Sequence, residues 1–379
     1  MMHLLDSLWT DEMAFVAPLY SKRQIERAGR VLGERIPADG LTPEVIEAFN
    51  IAHNHRESCA LPMVSVRHEL RHKVQRDGGS GIAVGRLKRM SSIRRKLFAK
   101  NRTLYQIQDI AGVRAILPAM ADVHRVAGYF HDGETRHGIV RTDDYIQRPK
   151  RDGYRSLHIV LKFNGERRLE KWSKSFVEVQ LRTNLQHAWA TAVEAVGLMR
   201  GENLKAGLGD PDWLRFFALM SGEIAHREGE PISATLDQNR STRLVELRDL
   251  EARLHAIDHL DGYAGAIKYI NEEAMAGRGY FLISFDRETK TVIVRPYSIF
   301  SEGAQAYNSG EGLGAKQNVV LVEADRARDL TEAYPNYFLD VRKFLSECRM
   351  AISENPNNPP DTGDYSWLHN WRRRARSGR

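Results

Sequence analysis

Asp144 to His158 reads DYIQRPKRDGYRSLH, and its residue types suit a loop that grips a nucleotide. Pro149 and Gly153 break regular structure, and Lys150, Arg151 and Arg155 supply phosphate-seeking charge. Tyr154, just after the flexible Gly153, offers a flat face to a base. Upstream, Arg86 to Arg102 carries eight basic side chains and no acidic one. A triphosphate needs such a field, because its charge must be offset before another oxygen can approach phosphorus. On a helix Lys88, Ser92 and Lys96 fall four apart and share a face, with Ser92 adding a hydroxyl donor. A solvated basic face is the alternative reading of the same run.

Two acids complete the chemistry. Asp109 and Glu178 each lie in or beside an apolar, strand-like run, where a lone carboxylate is costly to bury unless a metal or a cation pairs with it. Two carboxylates plus nucleotide phosphates make a usual magnesium site. The other reading of Glu178 is that it points outward from the alternating strand FVEVQLRT. Arg114, between Val113 and Ala115 in an apolar run, belongs on an open sheet face or in an ion pair.

The elements that must position these groups alternate between strands and helices. Helical spacing runs from Ser21 to Arg76, with Thr42 as cap and Pro43 in the first turn, and Asp77 to Gly81 is a break. A basic helix is expected over Leu87 to Lys100, a strand within Ile107 to Leu117, and a helix over Ala121 to Phe130. Strands over Ser156 to Phe163 and Phe176 to Leu181 follow, and the second runs into a helix over Leu185 to Leu198. The economical architecture is an α/β (α+β) fold, a mixed sheet flanked by helices. Ser241 to Leu260 reads as a linking helix. Beyond it come strands over Gly279 to Phe285, Thr291 to Arg295 and Asn318 to Glu323, a Gly-rich loop over Gly303 to Gly314, and a helix over Asp325 to Met350. The expected division is a helical region 1–80, a catalytic domain 81–235, a linking helix 236–270, a small antiparallel β plus helix domain 271–352, and a basic tail 353–379.

Composition narrows the class. With 42% apolar residues and no apolar run near ~20 residues, a membrane span is not expected, and the first residues lack the pattern of a signal peptide. Cys59 and Cys348 are too few and too far apart for a disulfide framework or a zinc site, so a cytoplasmic setting fits. The net charge of +7 suits polyanionic partners.

From Gly85 to Val196 these motifs, in this order, resemble the RelA/SpoT synthetase family, pyrophosphokinases that move a pyrophosphate group from ATP to a ribose hydroxyl. The resemblance implies a nucleotidyltransferase-like synthetase fold and Mg2+ as cofactor. It implies that Arg86 and Arg114 sandwich adenine, that Lys88, Ser92 and Lys96 bind phosphates, and that Asp109 binds the metal. Glu178 would bind metal or act as general base. Tyr154 would stack on the acceptor base, with Lys150 and His158 on acceptor phosphates and Gln180, Asn184 and His187 lining the site. His158 and His187 as half-buried histidines is the other reading. Asp152 and Thr191 depart from residues frequent in the family. His131-Asp132 lacks the partners of the family's hydrolase site, so hydrolase activity is not expected.

Tyr334 and Tyr337 share one side of a helix and read either as core aromatics or as a base-stacking pair. Their place after a synthetase is similar to the fused toxin–antitoxin type called CapRel. That resemblance implies a C-terminal pseudo-zinc-finger domain that blocks the ATP site, a phage protein that relieves the block, and the tRNA 3′ end as acceptor. The alternatives are an alarmone synthetase acting on GDP or GTP, and a nucleic-acid-binding module with decayed enzyme motifs.

Overall fold

The computed structural model describes residues 15–36, 42–99, 102–264, 279–286, 291–310, 317–324, 329–330 and 340–354. The first helices among the described residues are α1 (Lys22–Leu32), α2 (Pro43–Ser58) and α3 (Ala60–Gln75). Ser21 and Gln24 form a capping box on α1, and Thr42 caps α2 with Pro43 in its first turn, as the sequence suggests. Strand β1 (Ile82–Leu87), helix α4 (Met90–Phe98), strand β2 (Ala111–Leu117), helix α5 (Met120–His131) and strands β3 (Gly138–Asp144), β4 (Leu157–Lys162) and β5 (Phe176–Thr183) follow. Helices α6 (Asn184–Arg200), α7 (Pro211–Glu228), α8 (Arg240–Leu254) and α9 (Ala256–Ala264) come next. The C-terminal part holds β6 (Gly279–Asp286), β7 (Thr291–Tyr297), α10 (Phe300–Gly310), β8 (Gln317–Ala324) and α11 (Arg342–Ser353).

The eight strands of the described residues join one mixed sheet in the order β3-β4-β5-β2-β1-β8-β6-β7, in which β2 and β5 are parallel and every other pair antiparallel. The β6–β8 set is therefore antiparallel, and it continues the same sheet through the pairs Gly85↔Glu323 and Arg86↔Val322. A buried ion pair, Arg67 to Glu323 at 2.8 Å, pins this seam. One core lies between the sheet and α1–α5 together with α10, and includes Leu70, Val113, Phe130, Ile159, Val179 and Tyr307. A second lies among α6–α9 and α11 around Trp213, Phe216, Phe217 and Phe344. A third covers the other face of the C-terminal strands.

Residues 82–87 are strand, so Arg86 is on β1, and the basic helix starts only at Met90. Short and carrying Gly85, this strand has little propensity of its own and forms because β2 and β8 flank it. Of the Gly-rich loop expected over Gly303 to Gly314, residues 303–310 are instead part of helix α10 and residues 311–314 lie outside the described residues. The helix's buried Phe300, Gly303, Ala304 and Tyr307 recur at helical spacing, and a Cβ on Gly303 would stand 2.8 Å from Leu321. The linking helix is two helices, broken at His255, whose φ is 47°. Of the expected helix over Asp325 to Met350, residues 325–328 and 331–339 lie outside the described residues, and α11 starts at Arg342. No helix among the described residues is long and apolar enough to cross a membrane.

Candidate active site

Strand alternation places one set of polar side chains on the sheet face opposite the first core, in two rows. His158, Gln180 and Arg114 are register partners across β4, β5 and β2, and Glu178, Gly112 and Arg86 are partners across β5, β2 and β1. Gly112 leaves the second row open: a Cβ there would meet nothing nearer than the Arg86 carbonyl oxygen at 3.7 Å. Two adjoining cavities, of about 370 and 700 Å³, lie over this face. Tyr154, His158, Glu178, Gln180, Asp109 and Arg114 line the smaller one, and Ser92 the larger. Arg86, Lys88 and Lys96 line both.

At the junction, Asp109 Oδ2 accepts hydrogen bonds from Lys88 Nζ at 2.9 Å and Lys96 Nζ at 2.7 Å. Burial pushes the Asp109 carboxyl up, but the two ammonium groups outweigh it and hold it below its ordinary value. Its Oδ1 is buried and has no hydrogen-bond partner. Glu178 Oε2 accepts from Gln180 Nε2 at 2.6 Å, and Oε1 stands 3.2 Å from His158 Nδ1. Burial raises this carboxyl too, yet His158, Gln180 and Lys88 leave it far below the usual carboxylate range. Both acids are thus carboxylates at neutral pH. An ionised pair in one cavity, one of them with a bare buried oxygen, fits a divalent cation that takes its remaining ligands from water and phosphate. The described residues contain no cluster of three or more His, Cys, Asp or Glu that could hold a metal ion.

The loop bearing Tyr154 is held from behind. Gly153 is no flexible hinge. Its φ is 90°, and a Cβ would stand 2.8 Å from Ser221 Cβ and 3.2 Å from Trp189, so α6 and α7 leave room only for glycine. Nor does Arg155 seek phosphate. It is buried and donates to Ser221 Oγ at 3.1 Å, the Ile146 carbonyl at 3.0 Å and the Pro231 carbonyl at 2.8 Å, tying the loop to α7. Tyr154 is half-buried, its hydroxyl 2.9 Å from His158 Nε2, with Lys150 Nζ 5.0 Å from its ring centroid.

Lys88 reaches the larger cavity from the turn before α4, while Ser92 and Lys96 do share a face of that helix. Asn184 and His187, at the start of α6, do not line either cavity, and His187 is buried. Tyr334 and Tyr337 lie outside the described residues. Sequence reading missed Arg182, whose guanidinium donates to the Tyr154 hydroxyl and to Gln180 Oε1, although it alternates with Glu178 and Gln180 along β5. It also missed Glu194 and Lys205, an ion pair lining both cavities. Burial raises the Glu194 carboxyl, but Lys205, Arg86 and Arg114 hold it below the usual range. A lone acid inside the apolar run of α6 was the available signal.

Among curated proteins, the chain is 35% identical over 190 residues to the chloroplastic GTP diphosphokinase CRSH2 of Oryza sativa subsp. japonica, a match covering 47% of this chain and 31% of that protein. It is 37% identical over 114 residues to the GTP pyrophosphokinase YwaC of Bacillus subtilis (strain 168), covering 28% of this chain and 52% of that one. The chain therefore spans about a third and about half of the lengths of these relatives. Among solved structures, the small alarmone synthetase 2 from Bacillus subtilis aligns at 25% identity with a TM-score of 0.37, covering 47% of this chain and 92% of that one. Residues 85–197, the segment from β1 to α6 that carries Asp109, Glu178 and Tyr154, match the family described as the region found in RelA / SpoT proteins.

Proposed function

We propose that this chain is a pyrophosphokinase that moves the β,γ-pyrophosphate of ATP to a ribose hydroxyl of GDP or GTP, with Mg2+ as cofactor. The observation that carries this reading is the junction of the two cavities. There Lys88, Lys96 and Asp109 stand between a recess lined by basic groups and a recess holding Glu178 and Tyr154. The relatives' names, GTP pyrophosphokinase and GTP diphosphokinase, support a guanosine acceptor.

In this reading the triphosphate enters the larger cavity and draws Lys88 and Lys96 from Asp109 onto its oxygens, joined by Ser92. Arg86 and Arg114 flank the adenine. The acceptor base stacks on Tyr154, with Lys150 displaced from the ring toward the acceptor's phosphates. The acceptor oxygen attacks the β-phosphorus, the bond from that phosphorus to the oxygen bridging the α-phosphate breaks, and AMP leaves. The hydroxyl proton passes to Glu178. A carboxylate held so firmly as an anion is a weak base, which suffices because a loose transition state releases the proton late, once the oxygen has become acidic. His158 keeps Glu178 oriented. Asp109, through its bare Oδ1, would hold the Mg2+, which when bound offsets charge on the phosphate oxygens, and Glu178 would join it as a ligand only in the alternative in which it does not take the proton.

A second reading takes the tRNA 3′ end as acceptor, making the chain a translation-blocking toxin restrained by Tyr334 and Tyr337 until a phage protein engages the C-terminal part. The exposed Arg148, Lys150 and Arg151 on the acceptor loop favour it, because a polyanion gains from that charge. The test of the chemistry is the adenine product. Release of AMP that requires an added acceptor supports pyrophosphate transfer, whereas ADP, or AMP formed without acceptor, counts against it.

A further inference from the structure

The turn that delivers Lys88 to the cavities is held from outside the 85–197 segment. Arg56, fully buried on α2, donates from Nε to the Lys88 carbonyl oxygen at 2.7 Å. Its guanidinium lies 4.2 Å from the centroid of the Tyr307 ring, on α10. The Tyr307 hydroxyl in turn accepts a hydrogen bond from the Met90 backbone N–H at 3.3 Å. Next to it, Asn308 Nδ2 donates to Glu57 Oε1 at 2.7 Å. Residues 88 and 90 are thus gripped on either side of Arg89 by two side chains in contact with each other.

Met90 is the first residue of α4, and the opening N–H groups of a helix need acceptors from elsewhere. Arg89, in the capping position, makes no side-chain cap bond. Tyr307, which is fully buried, supplies the acceptor from the C-terminal part of the chain. On the cavity side of the same turn, Lys88 Nζ reaches Asp109 and Ser92 lines the larger recess. A shift of the turn therefore moves both groups relative to a bound phosphate.

We infer that Tyr307, acting with Arg56, is a positioning residue for nucleotide-donor binding: it fixes the Lys88–Met90 turn so that Lys88 and Ser92 meet the triphosphate together. The claim rests on the reading of the larger cavity as the triphosphate site. It gives the C-terminal strands and α10 a supporting role in donor binding, the reverse of a cover over the site. A partner that drew α10 away would weaken donor binding.

The test compares the full chain with Tyr307→Phe, which keeps the ring against Arg56 and removes the acceptor. Ile283→Val loosens the C-terminal strands on the other sheet face and serves as the control. Binding of α,β-methylene-ATP is measured by calorimetry, the acceptor KM by AMP release, and amide exchange over residues 88–93 by mass spectrometry. Tyr307→Phe is expected to weaken analogue binding about tenfold, with faster exchange over 88–93 and an unchanged acceptor KM. Ile283→Val is expected to leave the analogue affinity unchanged. Wild-type affinity and exchange in Tyr307→Phe, or equal weakening by Ile283→Val, would overturn the role of Tyr307 alone. A full chain that binds no ATP analogue would overturn the donor reading and this role with it.

Discussion

Lys88 Nζ stands 2.9 Å from Asp109 Oδ2, closing the gap between the end of β1 and the start of β2 where the two cavities meet. Lys96 shares the same oxygen, so the carboxylate occupies both ammonium groups that a triphosphate would need. Asp109→Asn removes that competitor and a proposed metal ligand together. It should bind ATP at least as tightly as the unaltered chain when a chelator is present, yet lose transfer with Mg2+ by about a hundredfold or more. Calorimetry and AMP release read the two effects. Weakened metal-free binding with normal transfer would contradict the assignment.

Gly153 offers a cleaner probe of the acceptor loop. Gly153→Ala puts a side chain at φ 90° and 2.8 Å from Ser221, so either the loop or α7 must shift. The expected cost is about 1–3 kcal/mol of stability, together with a several-fold rise in acceptor KM and little change in the KM for ATP. Equal changes in both KM values would place the loop's role elsewhere.

The sheet seam predicts its own energetics. Glu323 is buried against Arg67 and His68. Burial raises its carboxyl, but these partners outweigh it and bring it to about 2. Glu323→Gln leaves Arg67 without its counter-charge and should cost about 3–5 kcal/mol in urea unfolding at pH 7. Because the folded value is depressed, the contribution is complete above the ordinary value of 4.5 and fades as pH falls toward about 2. The difference between the two proteins should therefore shrink across that window. A difference independent of pH would mean the carboxylate's charge is not what Arg67 needs.

His137 and His55 should share a second window. His137 is buried beside Phe163, and its Nδ1 accepts from the Asn164 N–H at 3.2 Å. Burial, then Arg136 and Lys73, lower it from 6.5 to about 4. The unfolded chain takes up this proton first, so stability is complete above about 6.5 and is lost as pH falls to about 4. The slope due to one such histidine approaches about 1.4 kcal/mol per pH unit. His55, also lowered to about 4 by burial, adds to it. In His137→Gln the slope between these limits should fall by about half, and an unchanged slope would exclude His137 as a source.

The strands of the 85–197 segment were legible wherever apolar residues alternated or ran unbroken, as in β2, β4 and β5, because burial on the sheet writes that pattern directly. Asp109 and Glu178 stood out as acids in apolar surroundings, and both line the smaller cavity. What stayed hidden depends on distant partners. Strand β1 is held by β8, and Arg155 became a strut only because Ser221 and Pro231 fold over it. Gly303 reads as a loop residue until Leu321 packs against it. Lys205 pairs with Glu194 across a short loop that no local pattern announces.

Pyrophosphate transfer moves the β-phosphate from ATP to the acceptor, so the fate of that phosphorus decides whether it occurs. The full chain is incubated with Mg2+ and ATP carrying radioactive β-phosphate, with GDP, GTP or deacylated tRNA offered separately. Label is expected on GDP or GTP together with AMP, and both are expected to be lost in Glu178→Gln. Label on tRNA alone would keep the chemistry and replace the acceptor. Label that stays on ATP or appears in ADP with every acceptor would contradict the account.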